Sequence, residues 1–268
     1  MLVDSHCHLD DEKFSGDLEA VIERARQSGV GRMLTIGTGD GPPGLSCAVE
    51  IADRFEPVYA TVGVHPQDAA KVTEKSFDEL RDLAHHPKVI ALGEIGLDYH
   101  YDPSARERQR DVFIEQLKIA AGLNLPVIIH TRDAWDDTIA VLKEHWRGLG
   151  IIHCFTGNSS QAQTALELGF HLAFGGVLTF KTAEMVRDAA RIVPDDRLLV
   201  ETDAPYLAPV PWRGKRNEPA FIVETARALA AVRNTSPERI ASITTTNFEN
   251  LCLRPRNGNR YTEVSNGD

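Results

Sequence analysis

Short apolar runs alternate along this chain with longer segments in which apolar residues recur at helical spacing. Eight runs rich in Val, Ile and Leu have the length and composition of buried strands. They cover residues 2–5, 32–37, 58–62, 89–93, 127–129, 150–152, 171–174 and 198–200. Between the runs, apolar residues recur every three or four positions, as at Val21, Ile22 and Ala25. This order predicts parallel strands that are joined by amphipathic crossover helices.

Three local signals predict where helices begin. Ser76 with Glu79 has the spacing of a capping box, and Asp133 directly precedes another helical run. Ser236 followed by Pro237 predicts the cap and first turn of a final helix, because proline is tolerated at the first helical position.

The number and order of elements predict the fold class. Eight strands alternating with eight helices are the pattern of an α/β (β/α)₈ TIM barrel, and a doubly wound open sheet is the alternative. Candidate functional residues follow both the first and the last strand, and only a closed barrel brings those two strand ends together. We therefore predict a single-domain barrel over residues 1–253 and a polar, partly disordered tail over 254–268.

The composition is that of an ordinary globular protein, with 268 residues, of which 42% are hydrophobic and 25% charged. The apolar runs are all far shorter than the roughly 20 residues that a membrane span needs, and no basic segment followed by an apolar one opens the chain. The four cysteines are dispersed and form no CxxC pair, which favours reduced thiols. We expect a cytoplasmic protein with no membrane partner.

The formal net charge of -10 disfavours a protein that coats nucleic acid without sequence preference. It still permits an enzyme that holds a few phosphates locally, because bound dications would cancel acidic charge at the site.

His6 and His8 stand at the end of the first predicted strand. Residues i and i+2 of a strand point to the same face, so both imidazoles would project together. Converging imidazoles are typical ligands of a divalent transition metal, although two unrelated exposed histidines are the alternative.

Further residues of metal-ligand type follow four other strand-like runs. The complete set is His6, His8, Glu94, His130, His153 and Asp203. In a barrel all of these positions face the C-terminal mouth. Four histidines and two carboxylates are more ligands than one zinc ion needs, and they suffice for two dications about 3.5–4 Å apart. Glu94 is the natural bridge because it enters midway round the barrel, whereas the alternative is a polar mouth whose side chains only hydrogen-bond one another.

Six motifs occur in this order along nearly the whole chain. They are SHCHLD at 5–10, GVHP at 63–66, GEIGLDY at 93–99, HTRDA at 130–134, HCFTG at 153–157 and ETDAPYL at 201–207. Together they resemble the TatD family of metal-dependent deoxyribonucleases, which belongs to the amidohydrolase superfamily of barrels.

The resemblance implies a two-metal site and a hydrolytic mechanism. His6 and His8 would bind one ion and His130 and His153 the other, with Glu94 bridging the two. Asp203 would ligate the first ion, hold the attacking water and act as its general base. The ions would be Mg²⁺, Mn²⁺ or Zn²⁺, and the imidazole-rich ligand set suits Zn²⁺ and Mn²⁺ better than Mg²⁺.

A cation-rich segment after the last strand indicates an anionic substrate. We call residues 211–219, PWRGKRNEP, the cationic loop. The candidate phosphate contacts within it are Arg213, Lys215, Arg216 and Asn217. The segment resembles one in the TatD family, and a solvated surface loop is the alternative. Arg132 is a second candidate anion contact and His65 a residue that lines the pocket.

Two other residues near the mouth have two interpretations each. Glu201 is either a buried ion-pair partner or a catalytic carboxylate, and Tyr99 either packs or stacks on a base.

These features together predict a metal-dependent deoxyribonuclease. We expect a 3′→5′ exonuclease on single-stranded or frayed DNA ends, because a strand end can enter a concave mouth that a duplex interior cannot reach. The alternatives are a small-molecule hydrolase of the amidohydrolase type, an enzyme that removes an acyl group from transfer RNA, and a non-catalytic metal-dependent binding protein. DNA is the expected partner, and we expect a monomer.

Overall fold

The computed structural model describes residues 1–100 and 105–254, and within them eight parallel strands form one nearly closed barrel. The strands are β1 (Leu2–Cys7), β2 (Val30–Thr35), β3 (Val58–Val62), β4 (Val89–Asp98), β5 (Val127–Arg132), β6 (Gly150–Ile152), β7 (His171–Phe174) and β8 (Leu198–Val200). Each strand pairs with the next one along the chain. The barrel closes where Cys7 bridges Ala204 and where the Asp203 amide donates to the His6 carbonyl at 2.9 Å. The predicted single-domain (β/α)₈ barrel is confirmed.

Nine α-helices lie within the described part of the chain. They are α1 (Leu18–Gln27), α2 (Cys47–Arg54), α3 (Glu74–Leu83), α4 (Arg106–Gly122), α5 (Trp135–His145), α6 (Ser159–Glu167), α7 (Glu184–Ile192), α8 (Ile222–Val232) and α9 (Pro237–Cys252). The first eight alternate with the strands, and α9 follows α8 directly.

Two predicted helix starts are wrong and one is confirmed. The helix α3 begins before Ser76, whose hydroxyl accepts a hydrogen bond from the amide of the N-cap residue Thr73 at 3.1 Å. Asp133 has a φ of 53° and lies one residue before the N-cap of α5, so it does not cap that helix. Ser236 caps α9 as expected by accepting a hydrogen bond from the amide of Arg239.

Three strands extend beyond their apolar runs, and β1 does so by two residues, to Cys7. The strand β4 continues to Asp98 and β5 to Arg132, because the two stay paired from Ile95 with Ile129 to Asp98 with Arg132, after an irregularity in register at Glu94. This pairing carries polar side chains into the mouth on rigid backbone.

Apolar side chains fill both the barrel and the layer between strands and helices. Leu34, Ile90 and Ile128 belong to a cluster that also includes Phe248 and Leu251 of α9. The helix α9 therefore covers the N-terminal end of the barrel, and the opposite end is left for polar residues.

Three further expectations concern the chain as a whole. All four cysteines are free thiols. None of the helices in residues 1–100 and 105–254 combines the length and the apolar character needed to span a membrane. The predicted tail, apart from Arg254, lies outside the described residues.

Candidate metal centre

The C-terminal ends of five strands bring all six predicted ligands into one cluster. His6 lies on β1, Glu94 on β4 and His130 on β5, while His8, His153 and Asp203 follow β1, β6 and β8. The side chains that are more than nine-tenths buried include His6, Glu94 and His153. The alternation of side chains along β1 puts His6 and His8 on one face, as expected, with their Nε2 atoms 3.2 Å apart.

Glu94 lies at the centre of the cluster and faces two pairs of imidazoles. Its Oε1 atom is 2.6 Å from Nδ1 of His130 and 2.7 Å from Nε2 of His153. Its Oε2 atom is 3.4 Å from Nε2 of His6 and 3.9 Å from Nε2 of His8. Each carboxylate oxygen therefore serves one histidine pair, which is the arrangement of a bridging ligand.

The charge of Glu94 is stabilised although the residue is only 2% exposed. Burial raises the pKa of a carboxyl group, but the positive potential of His153, His6 and His130 outweighs burial here and holds the pKa of Glu94 well below its usual value. Glu94 is therefore an anion at neutral pH.

Asp203 completes the first histidine pair. Its Oδ1 atom is 3.4 Å from Nε2 of His8 and 3.7 Å from Nε2 of His6, so these three residues can converge on one ion. Burial acts to raise the pKa of Asp203, but the hydrogen bond with His8 and the charges of His6 and His153 lower it. Asp203 can therefore accept a proton at neutral pH.

A carboxylate also lies behind each histidine of the second pair. Nε2 of His130 is 3.1 Å from Oδ2 of Asp98, and Nδ1 of His153 is 3.6 Å from Oε1 of Glu201. A carboxylate on the far nitrogen of a ligating imidazole fixes its tautomer and its ring orientation. Glu201 is fully buried and accepts a hydrogen bond from the amide of Cys154 at 2.6 Å, which favours its interpretation as a buried partner.

Sequence reasoning did not give Asp98 this role. Burial raises the pKa of Asp98, but hydrogen bonds with His130 and with the amide of His100 outweigh it and lower that pKa to about 2. The signal was present in the sequence, because Asp98 is four residues beyond Glu94 and side chains alternate along a strand.

The residues of the cluster fit divalent metal ions. Within the described residues, three convergent ligand sets are present: His6, His8 and Asp203; His6, Glu94 and His153; and His65, Asp98 and His130. Neutral imidazoles and ionised carboxylates are the ligands that Zn²⁺ and Mn²⁺ take in proteins. The Nε2 atoms of His6 and His8 lie 3.2 Å apart, where they can either share one hydrogen bond or face a common cation.

His65, which is predicted to line the pocket, borders the cluster. Its Nε2 atom is 3.9 Å from Oε1 of Glu94, and its ring centroid is 4.5 Å from that of His130. Burial and the neighbouring His130 lower the pKa of His65 to about 3, so it is neutral at physiological pH. Arg132 lies at the exposed end of β5, and its carbonyl accepts a hydrogen bond from the Tyr99 amide at 2.9 Å.

The cationic loop divides into two pairs of residues. Arg213 and Lys215 are exposed, and each lies over an aromatic ring: Arg213 is 3.7 Å from the centroid of Phe180 and Lys215 is 5.1 Å from that of Trp212. Both cations can therefore meet a ligand that approaches from solvent.

The other two predicted contacts have partners within the chain. Arg216 pairs with Asp17 at 2.7 Å and with Glu218 at 2.8 Å, so its guanidinium already has anionic partners. Asn217 is 0% exposed and donates hydrogen bonds to the carbonyls of Thr202 and Tyr206. The two residues anchor the loop beside Asp203, which favours a structural role over phosphate binding.

The barrel and the ligand cluster at its mouth define the class of metal-dependent hydrolases. The family model described as TatD related DNase matches residues 3–252, and the chain belongs to this family.

Three similar proteins agree with this assignment. The chain is 43% identical over 253 residues to the uncharacterized metal-dependent hydrolase YabD of Bacillus subtilis, covering 94% of this chain and 98% of that protein. It is 44% identical over 255 residues to the uncharacterized metal-dependent hydrolase YcfH of Escherichia coli K12, covering 93% and 95%. The crystal structure of YjjV, a TatD homolog from Escherichia coli K12, superposes with a TM-score of 0.88 at 34% identity and covers 95% and 98% of the two chains.

Proposed function

We propose that this hydrolase binds two divalent metal ions and cleaves phosphodiester bonds at the 3′ ends of single-stranded or frayed DNA. The observation that carries the proposal is the position of Glu94, whose two oxygens each face a separate histidine pair. His6, His8 and Asp203 would hold one ion, His130 and His153 the other, and Glu94 both. Mn²⁺ and Zn²⁺ fit these ligands better than Mg²⁺, which prefers oxygen.

The reaction is attack by water on phosphorus. When bound, the metal ions would make a water molecule more acidic and offset negative charge on the phosphoryl oxygens. Asp203 is ionised and lies beside the first histidine pair, so it can accept the proton of the attacking water. The water oxygen bonds to phosphorus as the bond from phosphorus to the 3′ oxygen breaks, and the proton passes to that departing oxygen. The products are a 5′-mononucleotide and a strand shortened by one residue.

The other side chains around Glu94 keep the reacting groups in place. Asp98 orients His130 through its far nitrogen, and the neutral His65 closes the side next to Glu94. Glu94 and His6 are almost completely buried, whereas the side chains of His8 and Asp203 are partly exposed, so water can approach the cluster from their side.

The charge on the cationic loop favours a phosphate substrate over a neutral amide or lactone. Arg213 and Lys215 are exposed cations in a chain of net charge -10, and Asn217 ties their loop to the backbone next to Asp203. A strand that reaches the metal centre therefore passes these cations. A strand end fits this concave mouth, whereas a base-paired interior would have to be distorted.

The free cysteines are consistent with a cytoplasmic enzyme.

The test is degradation of labelled oligonucleotides by the purified protein in Mg²⁺, Mn²⁺ or Zn²⁺. A 5′-labelled single strand should give a ladder that shortens by one nucleotide at a time, and a blunt duplex should be cut more slowly. Asp203→Asn serves as the control for a contaminating nuclease. Turnover of nitrophenyl esters or acyl-transfer-RNA without cleavage of any oligonucleotide would overturn the proposal in favour of another hydrolase.

A further inference from the structure

A cavity of about 570 Å³ opens beside the second histidine pair. Its walls come from the segments that follow β4, β5 and β6, and His153 and Cys154 form the part next to the metal centre. Nε2 of His153 is 2.7 Å from Glu94, so the cavity borders the reacting centre. Pockets for small ligands have volumes of about 300–1,000 Å³, which places this one in the range for a nucleoside.

Among the residues that the structure describes, Tyr99, Trp135 and Phe155 line this cavity with aromatic side chains. The rings of Trp135 and Phe155 pack edge to face with centroids 6.1 Å apart, and Phe155 packs in the same way on Phe174 of the barrel. The Tyr99 hydroxyl donates a hydrogen bond to Asp137 at 2.8 Å. The aromatic surface is therefore held by contacts with the barrel and with α5. Because these side chains are already ordered, they lose little conformational entropy when a flat ligand binds.

The charge of the cavity wall differs from that of the cationic loop. Asp133, Asp136 and Asp137 line the cavity together with one arginine of the described residues, Arg106, which lies 4.3 Å from the centroid of the Tyr99 ring. A wall with this excess of carboxylates repels phosphate. An uncharged aromatic group is the ligand that suits it, and carboxylates can accept hydrogen bonds from the amino groups of bases.

We propose that this cavity receives the base of the terminal nucleotide, which stacks on Trp135 while the remaining strand leaves across Arg213 and Lys215. The scissile phosphate then lies between the two regions, at the metal centre. This subsite rests on the proposed function, and it explains how a strand end is preferred: only a terminal nucleoside can enter a cavity whose wall repels the next phosphate.

The first test compares two substrates with the unaltered enzyme. One is a single-stranded oligonucleotide with a normal 3′-terminal nucleotide, and the other has an abasic 3′-terminal residue. Stacking of a base on an aromatic side chain predicts a kcat/KM about 5- to 100-fold lower for the abasic end. Equal kcat/KM for the two ends would overturn the subsite and leave the nuclease function intact.

Variants of Trp135 then locate the effect. Trp135→Ala should lose the discrimination between the two ends, whereas Trp135→Phe, which keeps a ring, should retain most of it. Circular dichroism checks that both variants are folded. Discrimination that persists in a folded Trp135→Ala protein would place the base elsewhere.

A binding experiment tests the subsite without relying on catalysis. Calorimetry would compare deoxyadenosine 5′-monophosphate with 2-deoxyribose 5-phosphate, which lacks the base. Tighter binding of the nucleotide to the wild type, reduced in Trp135→Ala, supports the cavity even if no oligonucleotide is cleaved. Equal affinity for the two compounds overturns it.

Discussion

The metal centre and the cationic loop lie at the same mouth of the barrel. The residues predicted for the metal centre all lie together, whereas those predicted for the loop divide into exposed and internally bonded residues. Every predicted ligand of the metal centre lies in one buried cluster around Glu94. Of the cationic loop, Arg213 and Lys215 are exposed, while Arg216 and Asn217 hold the loop in place. The difference comes from what positions each side chain. The candidate ligands lie on strands or within three residues of a strand end, whereas partners far away in the sequence fix the loop.

The role of each cation in the cationic loop depends on residues that are distant in the sequence. Asp17 lies 199 residues from Arg216, yet its carboxylate accepts two hydrogen bonds from that guanidinium. A cation in a loop is free to bind substrate only if no such acid is within reach. A histidine at the end of a barrel strand, in contrast, points into the mouth because of the barrel itself.

Replacing Glu94, the proposed bridging ligand, should have the largest effect on metal content and activity, because Glu94 faces both histidine pairs. Glu94→Gln keeps the size of the side chain but removes the anion that faces four imidazoles. We expect metal content to fall from about two ions per chain toward none, and hydrolysis to be lost with it. Elemental analysis of the purified protein measures the loss. Glu56→Gln, at an exposed carboxylate, is the matched control, and a Glu94→Gln protein that keeps both ions would show that the bridge is not required.

Replacing the proposed base should affect turnover more than metal content. Asp203→Asn should lower kcat about 100- to 10,000-fold, the range for loss of a positioned general base. Because Asp203 is also a proposed ligand, kcat is measured at saturating metal and the bound metal is determined in parallel. Asp78→Asn, at an exposed carboxylate of α3, is the control. Near-normal turnover by a folded Asp203→Asn enzyme would remove this residue from the mechanism.

Replacing Asp98, which orients His130, should have an intermediate effect on metal binding. Asp98→Asn removes the charge that faces Nε2 of His130, and we expect metal affinity to fall about 10- to 100-fold. Titration of the metal-free protein measures the affinity. High metal concentration should restore most of the turnover, because the ligands themselves are unchanged. An unaltered affinity would show that Asp98 serves the fold alone.

The fold and the clustering of the candidate ligands could be predicted because both depend on short-range periodicity. The predicted runs 58–62, 150–152, 171–174 and 198–200 coincide with strands, and alternation along β1 puts His6 and His8 on one face. The predicted extent of β4 was too short, since Glu94 to Asp98 are polar or glycine at every second position. That truncation hid the position of Asp98 facing His130.

The rest of the site depends on contacts that no local pattern encodes. Tyr99 meets Asp137, and Trp135 meets Phe155, only because α5 and the segment after β6 pack beside the end of β4. Asn217 is predicted to contact substrate because it lies among cations. Its amide group, however, donates hydrogen bonds to two backbone carbonyls. In both cases the role is set by tertiary packing.

The smallest expected effects separate the two halves of the cationic loop. Arg216→Met should lower the free energy of unfolding by about 0.5–1 kcal/mol, because its ion pairs with Asp17 and Glu218 are partly exposed to solvent. Arg213→Met loses at most the exposed contact of its guanidinium with Phe180, so its main effect should be weaker binding of a single-stranded oligonucleotide. Loss of one phosphate contact reduces the slope of log K against log salt concentration by about 0.7. Urea unfolding and binding at several salt concentrations measure both properties in both variants. If Arg213→Met changes stability while Arg216→Met changes only the salt slope, the division of the loop into an anchoring pair and a binding pair is reversed.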